Sequence, residues 1–301
     1  MSSSKPIQFN NRVAIVTGSG RGLGRQQAIL LGSLGASVIV NSTTPATAKS
    51  TVDAIVEAGG KAIACVGSVT EPSVAESLVK TAIDTFGRID IVVNNAGTYQ
   101  DKAFDKTTVA DLREMLSIHV EGSYNLTRAA WPHMQKQKYG RVVMITSHTI
   151  FGMPGISNYA AAKAALIGMA KTLAVEGEAH GIHVNSVATT AYTDTTAANA
   201  PEQMRGFMKA NLPASEPARA VVWLTSEDCK VNGEVLGVQG RIVNRIFLGD
   251  TKGFKGSSNE EWTVERVRDN WEAVVDEKDY AAPKNTNEIG GILFQRLSSD
   301  S

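Results

Sequence analysis

The chain has 301 residues, with 30 lysines and arginines balanced by 30 aspartates and glutamates, and 43% of its residues are hydrophobic. That length holds one large α/β domain or two modest ones, and the apolar content excludes wholesale disorder. A formal net charge of zero leaves no basic excess to meet phosphates, so no nucleic-acid partner is expected. Cys65 and Cys229 are too few for a disulfide framework, and the five histidines form no array with zinc spacing, so no metal site is expected. No apolar run approaches the roughly 20 residues of a membrane span. Met1-Ser-Ser-Ser-Lys5 lacks a secretory apolar region and Ser298-Ser-Asp-Ser301 is not a peroxisomal address, so a cytoplasmic location is the expectation.

In chain order, short apolar β-branched runs predict strands over 13–16, 38–40, 62–64, 89–93, 142–145 and 182–187. Helix-period segments lie between them, over roughly 23–34, 45–58, 72–86, 108–136 and 158–178. A late helix over 218–225 and a last strand over 234–238 follow. Continuous apolar strands separated by helices imply a parallel sheet covered on both faces, and right-handed crossovers make it a doubly wound α/β fold. Residues 1–248 read as one domain and 249–301 as a C-terminal extension. The extension carries one amphipathic helix over 263–277, marked by Val264, Val267, Trp271, Val274 and Val275.

Thr17-Gly18-Ser19-Gly-Arg21-Gly22-Leu23-Gly24 joins the first strand to the first helix. Glycines at such a turn let backbone N–H groups approach a phosphate without a Cβ in the way, and the helix N-terminus adds partial positive charge. Leu23 stands where a strict G-x-G-x-x-G or a P-loop needs glycine, so neither pattern holds. Asn94-Asn95-Ala96-Gly97 follows the fourth strand, and Tyr159-Ala-Ala-Ala-Lys163 opens a helix with both polar side chains on one face.

Together these motifs resemble, in order and spacing over residues 12 to about 240, the short-chain dehydrogenase/reductase family. The resemblance implies a Rossmann-like fold, a nicotinamide cofactor, and Tyr159 as the acid–base. Lys163 would be its activator and the cofactor's ribose anchor. An ammonium one turn away, joined by an oxidised nicotinamide, should lower the phenol from its ordinary value near 10. Ser147, counted from the start of its strand, is the residue that orients the substrate oxygen; Thr146 is the lesser alternative. His119 stands where the family has an asparagine that holds a relay water, and would add a group titrating near 6.5; a histidine satisfied within its own helix is the competing reading.

The second strand ends in Asn41-Ser42-Thr43 with no carboxylate for a ribose hydroxyl. Ser42, Thr43 and Arg21 therefore point to NADP(H), with NAD(H) as the alternative. The remaining cofactor contacts are expected from Gly18, Ser19, Gly22, Leu23 and Gly24, from Ser68 at the adenine, from Asn95, Ala96 and Gly97, from Tyr159 and Lys163, and from Thr190 and Thr193. Met204, Phe207 and Met208 can line the substrate pocket or form the packed face of a short helix.

The segments 117–123 and 127–140, and the tail from Thr263 to Trp271, resemble the (3R)-hydroxyacyl-CoA dehydrogenase part of peroxisomal multifunctional enzymes. Hydride transfer with a secondary alcohol or ketone is therefore expected, including a 3-hydroxyacyl or 3-oxoacyl thioester. A carbonyl reductase for a bulky polyketide, terpenoid or steroid ketone is the alternative within this class. A cofactor-binding scaffold or sensor without turnover is the alternative from another class. The family also implies a homodimer or homotetramer joined through the long helices.

Overall fold

The computed structural model describes residues 5–257 and 259–298, with the side chains of Thr195 and Asn199 excepted, so the readings at residues 1–4 and 299–301 lie outside the described residues. Two compact units divide between Arg245 and Ile246. The first is built on strands β1 (Val13–Val16), β2 (Ser37–Ser42), β3 (Lys61–Val66), β4 (Ile91–Asn94), β5 (Gly140–Ser147), β6 (Ile182–Thr190), β7 (Val235–Gln239) and β8 (Ile242–Ile246). Its helices are α1 (Gly22–Ser33), α2 (Pro45–Glu57), α3 (Pro72–Phe86), α4 (Val109–Leu116), α5 (Gly122–Gln137), α6 (Ser157–Glu178), α7 (Asp194–Asn199), α8 (Glu202–Asn211) and α9 (Ser215–Thr225).

The strands lie in the order β3-β2-β1-β4-β5-β6-β7-β8, and the pairs from β3 across to β7 are parallel. This is the doubly wound, Rossmann-like sheet expected from the alternation of strands and helices. The strands read as continuous apolar runs because both faces are covered. Ala14, Val16, Val38 and Val40 pack with Ala28 and Leu31 of α1, Ile55 of α2 and Val221 of α9. Val13, Ile15 and Ile39 point the other way, to Leu78 of α3, Leu126 and Met134 of α5, and Leu166 and Ala170 of α6. The order reverses between β1 and β4, and the crevice outside their carboxyl ends is where such sheets take ligands. The glycine loop and Asn94–Gly97 are the segments that leave those two ends.

Two elements of this unit depart from the pattern read in the sequence. The long helix expected over 108–136 is broken by one π-helical turn, Ser117–Glu121, which separates α4 from α5. Periodicity cannot reveal a single inserted residue, since the apolar stripe resumes after it. The strand at β7 is not the last, because β8 follows a turn at Gly240 (φ +57°). β8 is exposed along nearly its whole length, so it carries no buried alternation to announce it.

The second unit is described by itself. It contains a two-stranded antiparallel pair, β9 (Asp250–Thr251) with β10 (Tyr280–Ala281), and helices α10 (Val264–Asp269), α11 (Trp271–Val274) and α12 (Thr286–Ser298). The single helix expected over 263–277 is thus two short ones, parted at Asn270. Val264 and Trp271 of its apolar stripe are exposed. α12 was hidden in the sequence by Gly290-Gly291, which weaken a helical reading.

Candidate active site

The glycine loop is shaped by hydrogen bonds among neighbouring strand ends. Asn41 accepts from the Gly18 N–H (3.3 Å) and donates to the carbonyls of Cys65 and Gly67 (3.1 Å each), tying together the ends of β1, β2 and β3. Thr17 Oγ1 accepts from the N–H groups of Asn95 and Ala96 at 2.9 Å, and Asn95 Nδ2 donates to the Thr17 carbonyl at 2.9 Å. Gly18 has φ +61°, and a Cβ there would lie 2.9 Å from Ala96 Cα, so only glycine fits both the turn and the approach of β4. Thr17 heads the glycine motif and Asn41 ends the second strand, but neither was expected to have a site role, because the bonds they make join segments far apart in the chain.

The predicted cofactor residues gather around this loop. Ser19 is fully buried: its hydroxyl donates to Val16 O (2.7 Å) and accepts from Asn41 N (3.1 Å), its N–H donates to Asn41 O (2.7 Å) and its carbonyl accepts from Thr51 Oγ1 (2.9 Å), so the residue builds the loop and, against expectation, offers no free group to a cofactor. Arg21 is exposed at the N-cap of α1, where no side chain caps the helix and no acid stands in the first turn. The first N–H groups of α1 have no intrahelical partner, and the site accordingly fits the pyrophosphate of a dinucleotide. Thr193 packs against Gly22, with Cγ2 3.5 Å from where a Cβ would stand. Leu23 and Gly24 are buried in the first turn of α1, with Gly24 against Asn95.

Ser42 Oγ lies 2.8 Å from Thr47 Oγ1, both against Gly20, and Thr43 is exposed beside them. Ser68 bonds Thr70 (2.8 Å), away from these hydroxyls in the chain but at the end of the adjacent β3. Thr190, at the end of β6, lies 3.3 Å from His148 Nδ1.

The chemistry-bearing side chains meet at the start of α6. Ser147 ends β5, and its hydroxyl acts on the Tyr159 phenol, favouring the ionised form. Thr146 Oγ1 instead donates to the Lys163 carbonyl (2.7 Å). Tyr99 and His119 each stand edge-on to the Tyr159 ring, with centroids 5.3 Å apart. Gly97 abuts the His119 ring, and Ala96 abuts Gly18, so contacts run unbroken from the glycine loop to Tyr159. The Lys163 Nζ is buried, donates to the Ile145 carbonyl (2.7 Å) and lies 5.5 Å from the Tyr159 ring centroid. One of its three protons is used there and two remain.

The electrostatics correct two expectations. Burial pushes the Tyr159 phenol up to about 12, with the Ser147 hydroxyl pulling down and Tyr99 pushing up, so the phenol is not acidified by Lys163 in the folded chain alone. Burial lowers Lys163 to about 7, which weakens the charge that was to do the acidifying. His119 does not titrate near 6.5: burial, and then the charge of Lys163, lower it to about 3, so its ring is neutral at ordinary pH. Its Nε2 lies 2.9 Å from the Thr98 carbonyl, which assigns the proton to Nε2 and leaves buried Nδ1 as an acceptor with no partner among the described residues.

This shift has a measurable consequence. Between pH 6.5 and about 3 an unfolded imidazole binds a proton that the folded ring does not, so stability falls as pH drops through that window. Denaturant titrations across it are expected to show a shallower acid loss in His119→Asn than in the wild type. Equal slopes would mean that the folded ring protonates freely.

Residues 12–205 match the short chain dehydrogenase family. The chain belongs to that family. Its members bind a nicotinamide cofactor, and the chain is an oxidoreductase, which sets aside the scaffold reading. It is 39% identical over 302 residues to the peroxisomal multifunctional enzyme type 2 of Mus musculus, covering 96% of this chain and 40% of that enzyme. The solved full-length multifunctional enzyme type 2 of Drosophila melanogaster superposes with a TM-score of 0.82 at 32% identity, covering 97% of this chain and 50% of that one. A 3-oxoacyl-(acyl-carrier-protein) reductase of Synechocystis is 40% identical over 179 residues, 59% of this chain and 72% of that reductase. The short-chain dehydrogenase here thus spans about half or less of the multifunctional enzymes it matches. Among its described residues no helix is long and apolar enough to cross a membrane.

Proposed function

We propose that the protein transfers hydride between NADP(H) and the oxygen-bearing carbon of a secondary alcohol or ketone, with 3-hydroxyacyl and 3-oxoacyl thioesters as the substrate class. The observation that carries this reading is the gathering of Lys163 and His119 against the Tyr159 ring, with the Ser147 hydroxyl acting on the phenol. A bound nicotinamide supplies the hydride acceptor or donor; the chain's own residues manage the proton and the substrate oxygen. Tyr159 holds a proton at its hydroxyl at neutral pH, the form that donates to a carbonyl oxygen. Ser147 gives that oxygen a second hydrogen bond and fixes its direction. Lys163 keeps donors for the cofactor's ribose, and the neutral His119 offers Nδ1 as an acceptor for relaying protons beneath the phenol.

Preference for the phosphorylated dinucleotide is supported by the end of β2. Asn41, Ser42 and Thr43 present no carboxylate, and α2 follows its N-cap Thr44 with no side-chain cap and no acid in its first turn. Gly20 lies against Ser42 and Thr47, and the exposed Arg21 follows it in the chain, so hydroxyls stand at the end of β2 with an arginine next to the glycine they touch, to answer a ribose phosphate. The thioester class is supported by the relatives named as multifunctional enzyme and oxoacyl reductase. The catalytic work is assigned to residues 1–248, with 249–301 accessory. A homodimer or homotetramer is supported by the small exposed residues Ala161, Ala164, Ala165 and Gly168 along α6. Relatives named as peroxisomal set that compartment against the cytoplasmic reading, and imaging of the tagged protein separates the two.

The test is consumption of NADPH and NADH against acetoacetyl-CoA, longer 3-oxoacyl-CoA thioesters and bulky ketones. Higher kcat/KM with NADPH and with the thioesters is expected. A clear NADH preference would overturn the role of Arg21, and turnover of bulky ketones alone would overturn the thioester class.

A further inference from the structure

Proton transfer requires the reacting group to be held to within a fraction of an ångström. Tyr159 is badly placed for that by its own helix. It is the third residue of α6, in the first turn, where backbone N–H groups have no intrahelical acceptor and helices fray. Ile156 at the N-cap has no side-chain acceptor to offer.

The missing acceptor comes from a chain of side chains that begins elsewhere in the fold. The Tyr159 N–H donates to Asn158 Oδ1 at 2.8 Å, Asn158 Nδ2 donates to Gln100 Oε1 at 2.7 Å, and Gln100 Nε2 donates to Asp111 Oδ1 at 2.9 Å. Asp111 is anchored in turn: its Oδ2 accepts from Lys102 Nζ (2.7 Å), Thr108 N (2.7 Å) and Thr108 Oγ1 (2.8 Å). The chain has a direction. A backbone N–H can only donate and a carboxylate can only accept, so the two ends dictate which way both amides face. Asn158 is buried, so water cannot readily replace a lost partner. The segment that supplies Gln100 also lays Tyr99 edge-on to the Tyr159 ring and joins Lys102 N to the Gly155 carbonyl at 2.7 Å.

We propose that Gln100, Asn158 and Asp111 are positioning residues that set the place of Tyr159 against Ser147, a proposal resting on the reading of Tyr159 as the proton-transfer group. They touch neither the hydroxyl nor the glycine loop in any bond described above; they act through the Tyr159 backbone.

The test exploits the direction of the chain. Gln100→Leu removes its middle. Asn158→Asp keeps an acceptor for the Tyr159 N–H but leaves Gln100 Oε1 facing a carboxylate, and turning the Gln100 amide only moves the conflict to Asp111. Adding Asp111→Asn to Asn158→Asp allows the whole chain to run in reverse. NADPH-dependent reduction of acetoacetyl-CoA, or of whichever ketone the wild type turns over, is measured beside hydrogen exchange of the first turn of α6. In Gln100→Leu and Asn158→Asp, kcat is expected to fall at least tenfold with KM changed less than twofold, and exchange at the Tyr159 amide to accelerate. The double variant should return to within threefold of wild type. The double variant also removes the Asp111 charge, so Asn158→Asp with Asp111→Ala, which removes that charge without supplying a donor, is the control and should not recover.

Single variants that keep kcat within twofold, or a double variant that folds without recovering, would overturn the chain. Should Gln100→Leu fail to fold, the Asn158→Asp pair decides. Tyr159→Phe separates the two readings: retained turnover there removes the acid–base assignment itself, whereas lost turnover with unaffected chain variants removes only the positioning role.

Discussion

Tyr159→Phe is expected to lower kcat by about a hundredfold to ten-thousandfold in either direction of the reaction, the range that a positioned acid–base contributes. The ring, its edge contacts with Tyr99 and His119, and the buried Lys163 beneath it are all retained. Affinity for NADPH, read by quenching of protein fluorescence, should therefore change little. The raised phenol adds a signature in pH. Reduction uses the protonated hydroxyl, which persists up to about 12, whereas alcohol oxidation needs the phenolate. Oxidation by the wild type should thus accelerate with pH across the alkaline range while reduction does not, and the variant should lose that dependence. An alkaline rise that survives Tyr159→Phe would assign the ionisation to another group.

Asp90→Ala is expected to cost about 3–5 kcal/mol of stability, the range seen when one member of a buried ion pair is removed. Asp90 is fully buried at the start of β4 and accepts four hydrogen bonds: from Arg88 Nε and Nη2 (2.7 Å each), Arg12 Nη1 (3.0 Å) and Val13 N (2.9 Å). Truncation strands the guanidiniums beside a buried strand end and removes the acceptor for a β1 backbone N–H. The denaturant midpoint should fall with little change in slope. A loss under about 1 kcal/mol would mean that the arginines turn to solvent freely, as exposed pairs permit. The site lies at the opposite strand ends from Tyr159, so kcat of the folded fraction should hold.

Most of the fold was legible because both faces of the sheet are covered. Strands such as Val38–Val40 then carry no polar residue, and the alternation with helices leaves few topologies. The proposal of Ser147 rests on a related reason: a strand cannot gain or lose a residue without turning its side chains over, so counting along β5 favoured it over Thr146, whose hydroxyl is taken by the Lys163 carbonyl. The exposed elements were less legible. β8, the two halves of the helix at 264–274, and α12 bury little or nothing, and the signal used to find elements is burial.

The site divides along the same line. The residues proposed to carry the chemistry could be named from the sequence alone, because Tyr159 and Lys163 are one helical turn apart and the glycine loop directly follows a strand; local spacing suffices for both. The charge states were decided only by the tertiary structure. The phenol that spacing predicted to be acidic is held near 12, and the imidazole predicted to titrate near 6.5 is held near 3. Both shifts come from desolvation, which depends on how much of the chain closes over a group rather than on which residues flank it. The chain from Asp111 to Tyr159 belongs to the same class: its members lie 11 and 58 residues apart along the polypeptide, and only folding makes them neighbours.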